Sequence, residues 1–416
     1  MRAPGGALGL LLGRIGGVAG TLVAGQLVLG LTYVVGARSI DPATLGLIAT
    51  VAAVGQIAAT VFDAGFINYS VRETAAGRLP VASARSLVRA KRRWSVLLLA
   101  VGLGVALWLA PSWQAALLLS LTGPAMWEAQ TAHGLLRAAE KFSQASIGQL
   151  VGRVAGLVVA LALVPFGAGE VALAAAIPAS FVAEALLDRF FLGAPPEPAR
   201  ASRELVSHSR ESLGFGLSNL AAQAQQLDTP LVTLGAGAFQ GGLYAAAGRL
   251  IGPLTFLATS LQLVAAPWLA RAGTDPDALH AEERRVIKVG AALAVAPLLV
   301  SLAGPPLIPL LLGEEYARSG TVFAVLAIGA AIVTLNQPPA IIAQTRGHQR
   351  GVATAIAVGL TFGLVATLVL SYLGGAVWAA AGYLVSQVII FVLLCLVARR
   401  ARRSPLPTPR ERTSGL

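Results

Sequence analysis

The chain has 416 residues, of which 56% are apolar and only 12% charged, and its mean hydropathy is +0.74. Soluble domains carry about 25% charged residues and disordered chains are more polar still, so this composition excludes both classes. The net charge is nevertheless +12, which the placement of the basic residues has to explain. The single cysteine, Cys395, excludes a disulfide within the chain and a paired-cysteine metal site.

Apolar stretches recur along the whole chain. A helix that spans a membrane needs about 20 mostly apolar residues. Twelve stretches meet this condition, and they cover residues 14–37, 43–70, 94–111, 113–136, 143–165, 170–192, 212–235, 240–270, 286–311, 318–344, 351–372 and 375–398. The sequence therefore predicts an all-α polytopic membrane protein with twelve transmembrane helices.

The basic residues are concentrated in one set of connections between these helices. With twelve helices both termini lie on the same side, and that side receives all but four of the 31 lysines and arginines. Arg38 and Arg318 lie on the opposite side, while Arg153 and Arg249 lie within helices. The positive-inside rule then predicts cytoplasmic termini. The excess of positive charge is a topology signal, and it does not predict a nucleic-acid partner.

The sequence also indicates an internal repeat. The turn Leu45–Leu47 opens the second predicted helix, and the similar turn Gly241–Leu243 opens the eighth. A polar, proline-containing connection between them divides the helices six plus six, as in transporters built from two parallel repeats. The predicted organisation is an N-terminal six-helix lobe at 1–192, a cytoplasmic linker at 193–211, a C-terminal six-helix lobe at 212–398 and a basic, disordered cytoplasmic tail at 399–416.

A few ionisable residues interrupt the apolar helices. Such groups are costly in a bilayer and usually face a cavity or one another. Asp63, Glu128 and Arg153 lie at similar depths, roughly 10–15 Å from the cytoplasmic ends of their helices at a rise of about 1.5 Å per residue. We therefore expect these three to meet in the first lobe. Asp228 and Arg249 lie at similar depths in the second lobe, where they form a candidate ion pair.

Amide side chains are dense on the seventh helix. Asn219, Gln223 and Gln226 follow one another at a spacing of three to four residues, which places them on one helix face. Asn336 adds an amide on the tenth helix. Amides of this kind either bind helices together in lipid or line a water-filled cavity for a hydroxyl-rich solute. The length of the stripe favours the cavity.

Several chemistries are not indicated by any motif. The chain has no phosphate-binding GxxxxGK[ST] loop, no nucleophile elbow and no HExxH sequence, so neither an ATP-driven pump nor a hydrolase is predicted. His133 has no second histidine near it in the sequence, and no metal site is predicted there. We expect a protein that is not an enzyme and has no catalytic residues, metal or cofactor.

Short motifs in the predicted turns resemble those of a transporter family. The run Gly36–Gly46 resembles the turn between the first two helices of polysaccharide-export (Wzx-like) flippases of the multidrug/oligosaccharidyl-lipid/polysaccharide (MOP) superfamily. Ile40 and Asp41 stand where that turn usually has Leu-Gly. Asp63–Gly65, Gly242–Leu250 and Leu312–Tyr316 resemble further turns of the family in the same order. The resemblance covers about residues 14–398.

This resemblance implies a fold and a function. The fold is a MATE-like pair of six-helix lobes around a central cavity, and the function is alternating-access transfer of an undecaprenyl-diphosphate-linked oligosaccharide from the cytoplasmic to the outer leaflet of the bacterial cytoplasmic membrane. Arg153 and Arg249 would then contact the diphosphate. The implied partners are the lipid-linked oligosaccharide, membrane lipids, a polysaccharide polymerase and glycosyltransferases, for cell-surface polysaccharide or lipopolysaccharide biosynthesis.

Three alternatives remain at this point. A cation-coupled drug exporter of the same superfamily would use Asp63, Glu128 or Asp228 as the coupling carboxylate, with H⁺ or Na⁺ as the coupling ion. A peptidoglycan-precursor flippase is disfavoured because such proteins usually have fourteen helices. A scaffold of a synthesis complex would need no transport at all.

Overall fold

We describe the protein from a computed structural model. The structure describes residues 4–193, 208, 212, 216, 219, 220, 223–272 and 276–403, and side chains are described from residue 20 onward, with gaps between 256 and 276. Nearly all of the predicted linker at 193–211, and the predicted tail from residue 404, lie outside these residues. The chain divides into two compact units, unit 1 (Met1–Pro230) and unit 2 (Leu231–Leu416). The predicted lobe boundaries stay a prediction.

Unit 1 is built from helices throughout its described residues. A short 3₁₀ turn, Val164–Phe166, follows the eighth helix, and a second, Ala224–Leu227, precedes a helix that crosses into unit 2. The nine α-helices within residues 4–193 are α1 (Pro4–Ala37), α2 (Pro42–Asp63), α3 (Phe66–Ala75), α4 (Val81–Arg92), α5 (Ser95–Leu109), α6 (Trp113–Ser120), α7 (Thr122–Ala138), α8 (Phe142–Leu163) and α9 (Gly169–Leu192).

The start of α2 follows directly from its sequence. Asp41 accepts hydrogen bonds from the backbone N–H groups of Ala43 (2.8 Å) and Thr44 (3.1 Å), and Pro42 occupies the first helical position. A carboxylate acceptor satisfies amides that have no partner within the helix, and proline has no N–H to lose there. The sequence predicts a helix start at Asp41-Pro42, and the structure confirms it.

The predicted second helix is broken in the structure. The apolar pattern predicts one helix over 43–70, but Ala64 (φ 50°) and Gly65 (φ 78°) both adopt the left-handed conformation and end α2 at Asp63. Glycine adopts this conformation without strain, whereas alanine does so at a cost. The chain restarts in α3, which packs against α7. The break turns the end of α2 and the start of α3 into two walls of the site described below.

The pair α8 and α9 packs closely through small residues. A methyl group built on Gly152 would lie 2.5 Å from the backbone oxygen of Ser180, and one built on Gly156 would lie 2.8 Å from that of Ala176. Gly148 occupies the same face of α8 one turn earlier. Small residues at intervals of four let two helix backbones approach in a membrane, where apolar burial alone drives little association.

Unit 2 contains longer helices. The helix α10 (Asp228–Ala236) crosses the boundary between the units, and a 3₁₀ turn, Glu314–Tyr316, connects two of the helices that follow. These are α11 (Ala238–Ala272), α12 (Pro276–Leu312), α13 (Ser319–Thr345) and α14 (Gln349–Arg403). Gly374 and Gly375 have non-helical dihedral angles inside α14, so this segment is two helices joined at a kink.

The membrane-spanning character of the chain is evident, but the count of twelve is not confirmed. Among the described residues, seven helices are long and apolar enough to cross a membrane, or eight if the bent pair α4 and α5 is one span. Large apolar side chains point away from the protein, including Trp108 (81% exposed), Leu302 and Phe190 (both 77%). Lipid tails rather than water are the natural surroundings for such side chains.

Candidate functional site

Unit 1 contains a polar cavity of about 570 Å³ among helices that are otherwise apolar. Its walls come from α2, α3, α7, α8 and α9 and from residues 219 and 223. This volume falls within the range of about 300–1,000 Å³ that is usual for small-molecule sites. The polar side chains that line the cavity are Thr60, Asp63, Asn68, Arg72, Gln130, His133, Arg137, Gln149, Glu184, Asn219 and Gln223.

Asp63 lies in the cavity wall at the break between α2 and α3. It is only 2% exposed, and its carboxylate accepts hydrogen bonds from the indole N–H of Trp127 and the backbone N–H of Ile67, both at 3.2 Å. The ammonium group of Lys91 donates to the backbone carbonyl of Asp63 (2.7 Å) and lies over the ring of Phe66 (4.7 Å). These donors hold a buried carboxylate in place beside the cavity.

The predicted amide stripe also reaches the cavity. Asn219 and Gln223 line the wall, and the Nδ2 of Asn68 donates to the Oδ1 of Asn219 (2.6 Å). Gln226 lies behind them and donates to the Oε1 of Gln223 (2.5 Å). The 3₁₀ turn that begins at residue 224 changes the helical period, so Gln226 reaches the cavity only through Gln223.

Two arginines of the cavity wall were missed in the sequence. Arg72 and Arg137 follow predicted transmembrane helices, so the sequence pattern counts them only among the basic residues that indicate topology. Spacing could have identified them, since Asn68 and Arg72 lie one turn apart on α3. Likewise Gln130, His133 and Arg137 lie on one face of α7. Guanidinium groups in a polar cavity suit an anionic ligand.

Glu128 is placed elsewhere. It forms ion pairs with Arg92 of α4 and Arg189 of α9, beside a separate pocket of about 200 Å³ that Arg85 and Arg89 also line. The expectation that Asp63, Glu128 and Arg153 meet is therefore wrong. Equal depth along three helices does not determine the direction in which each side chain points, and rotation about the helix axis separates these three.

Arg153 is not part of the cavity wall either. Its guanidinium lies over the ring of Phe181 (5.1 Å) and donates to the hydroxyl of Ser180 (3.4 Å). It also interacts electrostatically with Glu184, which lines the cavity one turn further along α9. Arg153 thus lies behind the wall, among the side chains that support it.

The remaining candidates lie in or next to unit 2. Asn336 is buried and its Nδ2 donates to the Oε1 of Gln387 (3.2 Å), a contact between α13 and α14. Asp228 is the first residue of α10, and Arg249 lies in the first half of α11, both partly buried. The predicted pair of Asp228 with Arg249 stays a prediction. Asn336 holds two helices together, which is the structural role that amides can take in lipid.

The match to a protein family covers most of the chain. The sequence profile of the Polysaccharide biosynthesis protein family matches residues 35–321, a range that includes every residue of the cavity. The chain belongs to this family. The family match confirms the expected link to polysaccharide biosynthesis. Among curated proteins, no sequence matches the chain.

Solved structures place this family member in the MOP fold. An inward-facing MATE multidrug resistance transporter matches with a TM-score of 0.68 at 16% identity, over 91% of this chain and 96% of that one. The lipid II flippase MurJ, in an inward closed conformation, matches with a TM-score of 0.71 at 10% identity, over 90% and 86%. A MOP transporter from Pyrococcus furiosus matches with a TM-score of 0.58 at 16% identity, over 94% and 96%.

These likenesses show the fold of the chain. The polysaccharide biosynthesis protein is an all-helical, multi-pass membrane protein with a MOP/MATE-like fold, as the resemblance of its turns implied. The family and the fold agree with the expectation of a transporter rather than an enzyme. The solved structures are only 10–16% identical to this chain, so their substrates are not inferred for it.

Proposed function

We propose that this protein is a flippase that carries a lipid-linked oligosaccharide, such as an undecaprenyl-diphosphate-linked glycan, from the cytoplasmic to the outer leaflet of the bacterial cytoplasmic membrane. The observation that carries the proposal is the polar cavity of unit 1 within a chain of the Polysaccharide biosynthesis protein family. Twelve helices in two six-helix lobes, alternating access and cytoplasmic termini belong to the same proposal.

The lining of the cavity suits a sugar attached to a phosphate. Asn68, Asn219 and Gln223 supply amide donors and acceptors, which match the hydroxyl groups of a sugar. Arg72 and Arg137 supply charge for the diphosphate, which is the role that the family resemblance implies for Arg153 and Arg249. The prenyl chain would stay in lipid, beside the exposed apolar faces of the helices.

The alternative of a drug exporter makes a different demand on the same cavity. A hydrophobic cation would be best bound by aromatic faces together with carboxylates. This wall has two carboxylates, Asp63 and Glu184, but among the described residues it has no Phe, Tyr or Trp side chain, and it carries amides and two guanidinium groups. The proposal therefore favours the glycan. Asp63, Glu128 and Asp228 remain the predicted carboxylates for a coupling ion, H⁺ or Na⁺.

Gene deletion and complementation in the source organism test this assignment. We expect the deletion strain to accumulate lipid-linked oligosaccharide on the cytoplasmic leaflet and to lose surface polysaccharide. The wild-type gene should restore both, and the double variant Arg72→Gln/Arg137→Gln should restore them poorly at equal protein level. Arg284→Gln, which removes an exposed arginine of α12, is the matched control and should complement fully. Unchanged glycan in the deletion strain, with increased sensitivity to cationic drugs, would favour the exporter instead.

A further inference from the structure

Three side chains that can ligate a metal meet where α7 packs against α9. His133 comes from α7, and Glu184 and Asp188 lie one turn apart on α9. One ligand atom of each lies within 4.8 Å of the other two. The sequence did not indicate this cluster, because the carboxylates follow the histidine by about fifty residues and the packing of two helices brings them together.

The distances between these atoms fit a bound ion better than direct hydrogen bonds. The Nδ1 of His133 lies 3.8 Å from the Oε1 of Glu184 and 3.7 Å from the Oδ2 of Asp188. Both separations exceed the range of about 2.7–3.2 Å for a hydrogen bond from nitrogen to oxygen. Two ligand atoms of a tetrahedral ion with bonds of about 2.1 Å are about 3.4 Å apart, so a small inward movement closes the site.

Asp188 is the most deeply buried member of the cluster, and its carboxylate lacks hydrogen-bond partners within the described part of the chain. Its side chain is fully buried, and neither carboxylate oxygen has a hydrogen-bond partner among the described residues. The Nδ1 of His133 likewise accepts and donates no hydrogen bond within that part of the chain. Buried polar atoms are nearly always satisfied, so a set of three facing atoms without partners indicates a missing ligand.

Gly148 gives this carboxylate its space. A methyl group built on Gly148 of α8 would lie 1.8 Å from the Oδ1 of Asp188, so no other residue fits there without moving the carboxylate. The aspartate is thereby held against a bare helix backbone and directed toward His133 and Glu184. Three helices, α7, α8 and α9, therefore shape the cluster.

The cluster is accessible from water and its charge attracts a cation. His133 and Glu184 both line the polar cavity, and the side chain of His133 is 23% exposed. Arg153 interacts with Glu184, and Arg137 interacts with His133. Arg153 can balance only one of the two carboxylates. When both carboxylates are ionised, the other leaves a negative charge in a buried position, where an unpaired charge is costly.

We propose that His133, Glu184 and Asp188 bind one divalent transition-metal ion that enters from the cavity. Imidazole nitrogen together with carboxylate oxygen is a donor set for zinc, iron, nickel or manganese, whereas alkali and alkaline-earth ions prefer oxygen alone. Inward-facing histidines and acids on neighbouring helices are a known way to build such sites in helix bundles. The bound ion ties α7 to α9 at the wall of the cavity.

Metal titration of the full chain, purified in detergent and freed of metal by a chelator, tests this site. Calorimetry with Zn²⁺ should give one site per chain, and Co²⁺ should give visible absorption that Zn²⁺ displaces. His133→Asn and Asp188→Asn keep the shape of the side chains while weakening coordination. Each should lower the Zn²⁺ affinity by about tenfold or more. Zn²⁺ should also raise the thermal unfolding midpoint of the wild type and not of the variants.

Two matched variants control for binding elsewhere. Glu170→Gln changes a carboxylate at the other end of α9, and His348→Asn changes a histidine of unit 2, so both should bind Zn²⁺ as the wild type does. A wild-type protein that binds neither Zn²⁺ nor Co²⁺ would overturn the proposal, as would equal affinity in all four variants. The experiment measures metal binding and not transport, so its result tests the metal site independently of the proposed flippase function.

Discussion

At the scale of single residues, two glutamates of this protein, Glu128 and Glu283, are each bound by two arginines. Glu128 of unit 1 is bound by Arg92 and Arg189, which come from two other helices. In unit 2, Glu283 of α12 is bound by Arg346 (2.8 Å), which directly follows α13, and by Arg402 of α14 (3.0 Å). Removing one member of a buried ion pair leaves the other charges without compensation, which is far more costly than the loss of a surface pair.

The substitution Glu283→Gln tests this role. Glu283 is 1% exposed, and its loss would leave two arginines facing each other. We expect the free energy of unfolding to fall by about 3–5 kcal/mol, measured as a lower thermal unfolding midpoint in detergent. Glu282→Gln removes the neighbouring, partly exposed carboxylate, which is 3.6 Å from Arg285, and should cost about 1 kcal/mol or less. Equal effects of the two substitutions would show that burial of the ion pair does not matter.

At the scale of helices, the sequence predicts where spans lie better than where they break. The pair Asp41-Pro42 carries its own capping chemistry, and α2 starts there. The gap between predicted spans 351–372 and 375–398 coincides with the kink at Gly374 and Gly375. The apolar pattern continues through the break at Ala64, so hydropathy predicts one helix there, and only the resemblance of Asp63–Gly65 to a family turn indicates the end of α2.

The packing of α8 on α9 makes a prediction at the same scale. In Gly152→Ala the added methyl group would lie 2.5 Å from the oxygen of Ser180 and 2.8 Å from the Cβ of Glu184, so the helices have to separate. We expect a lower yield of folded protein and a lower thermal unfolding midpoint. The control is Gly104→Ala in α5, where a methyl group meets no atom within 4 Å. It should be neutral or stabilising by up to about 1 kcal/mol, since alanine favours helix. Normal stability of Gly152→Ala would contradict the close packing.

At the scale of the whole molecule, composition and the placement of charge were sufficient to predict the class of protein. Three of the predicted site residues, Asp63, Asn219 and Gln223, line the cavity of unit 1. Glu128 and Arg153 do not, because a position along a helix says little about rotation around its axis. The distribution of Lys and Arg predicts the orientation of the chain in the membrane. It does not distinguish Arg72 and Arg137, which line the cavity, from the other basic residues.

The central claim is that this protein moves a lipid-linked oligosaccharide across a bilayer. Purified protein in liposomes, with an undecaprenyl-diphosphate-linked oligosaccharide incorporated, tests it most directly when a membrane-impermeant sugar oxidant reports the share of glycan on the outer leaflet. We predict that the protected share becomes accessible much faster than in protein-free liposomes, and that Arg72→Gln/Arg137→Gln slows this transfer while Arg284→Gln does not. Transfer by folded wild-type protein at the rate of protein-free liposomes would contradict the account.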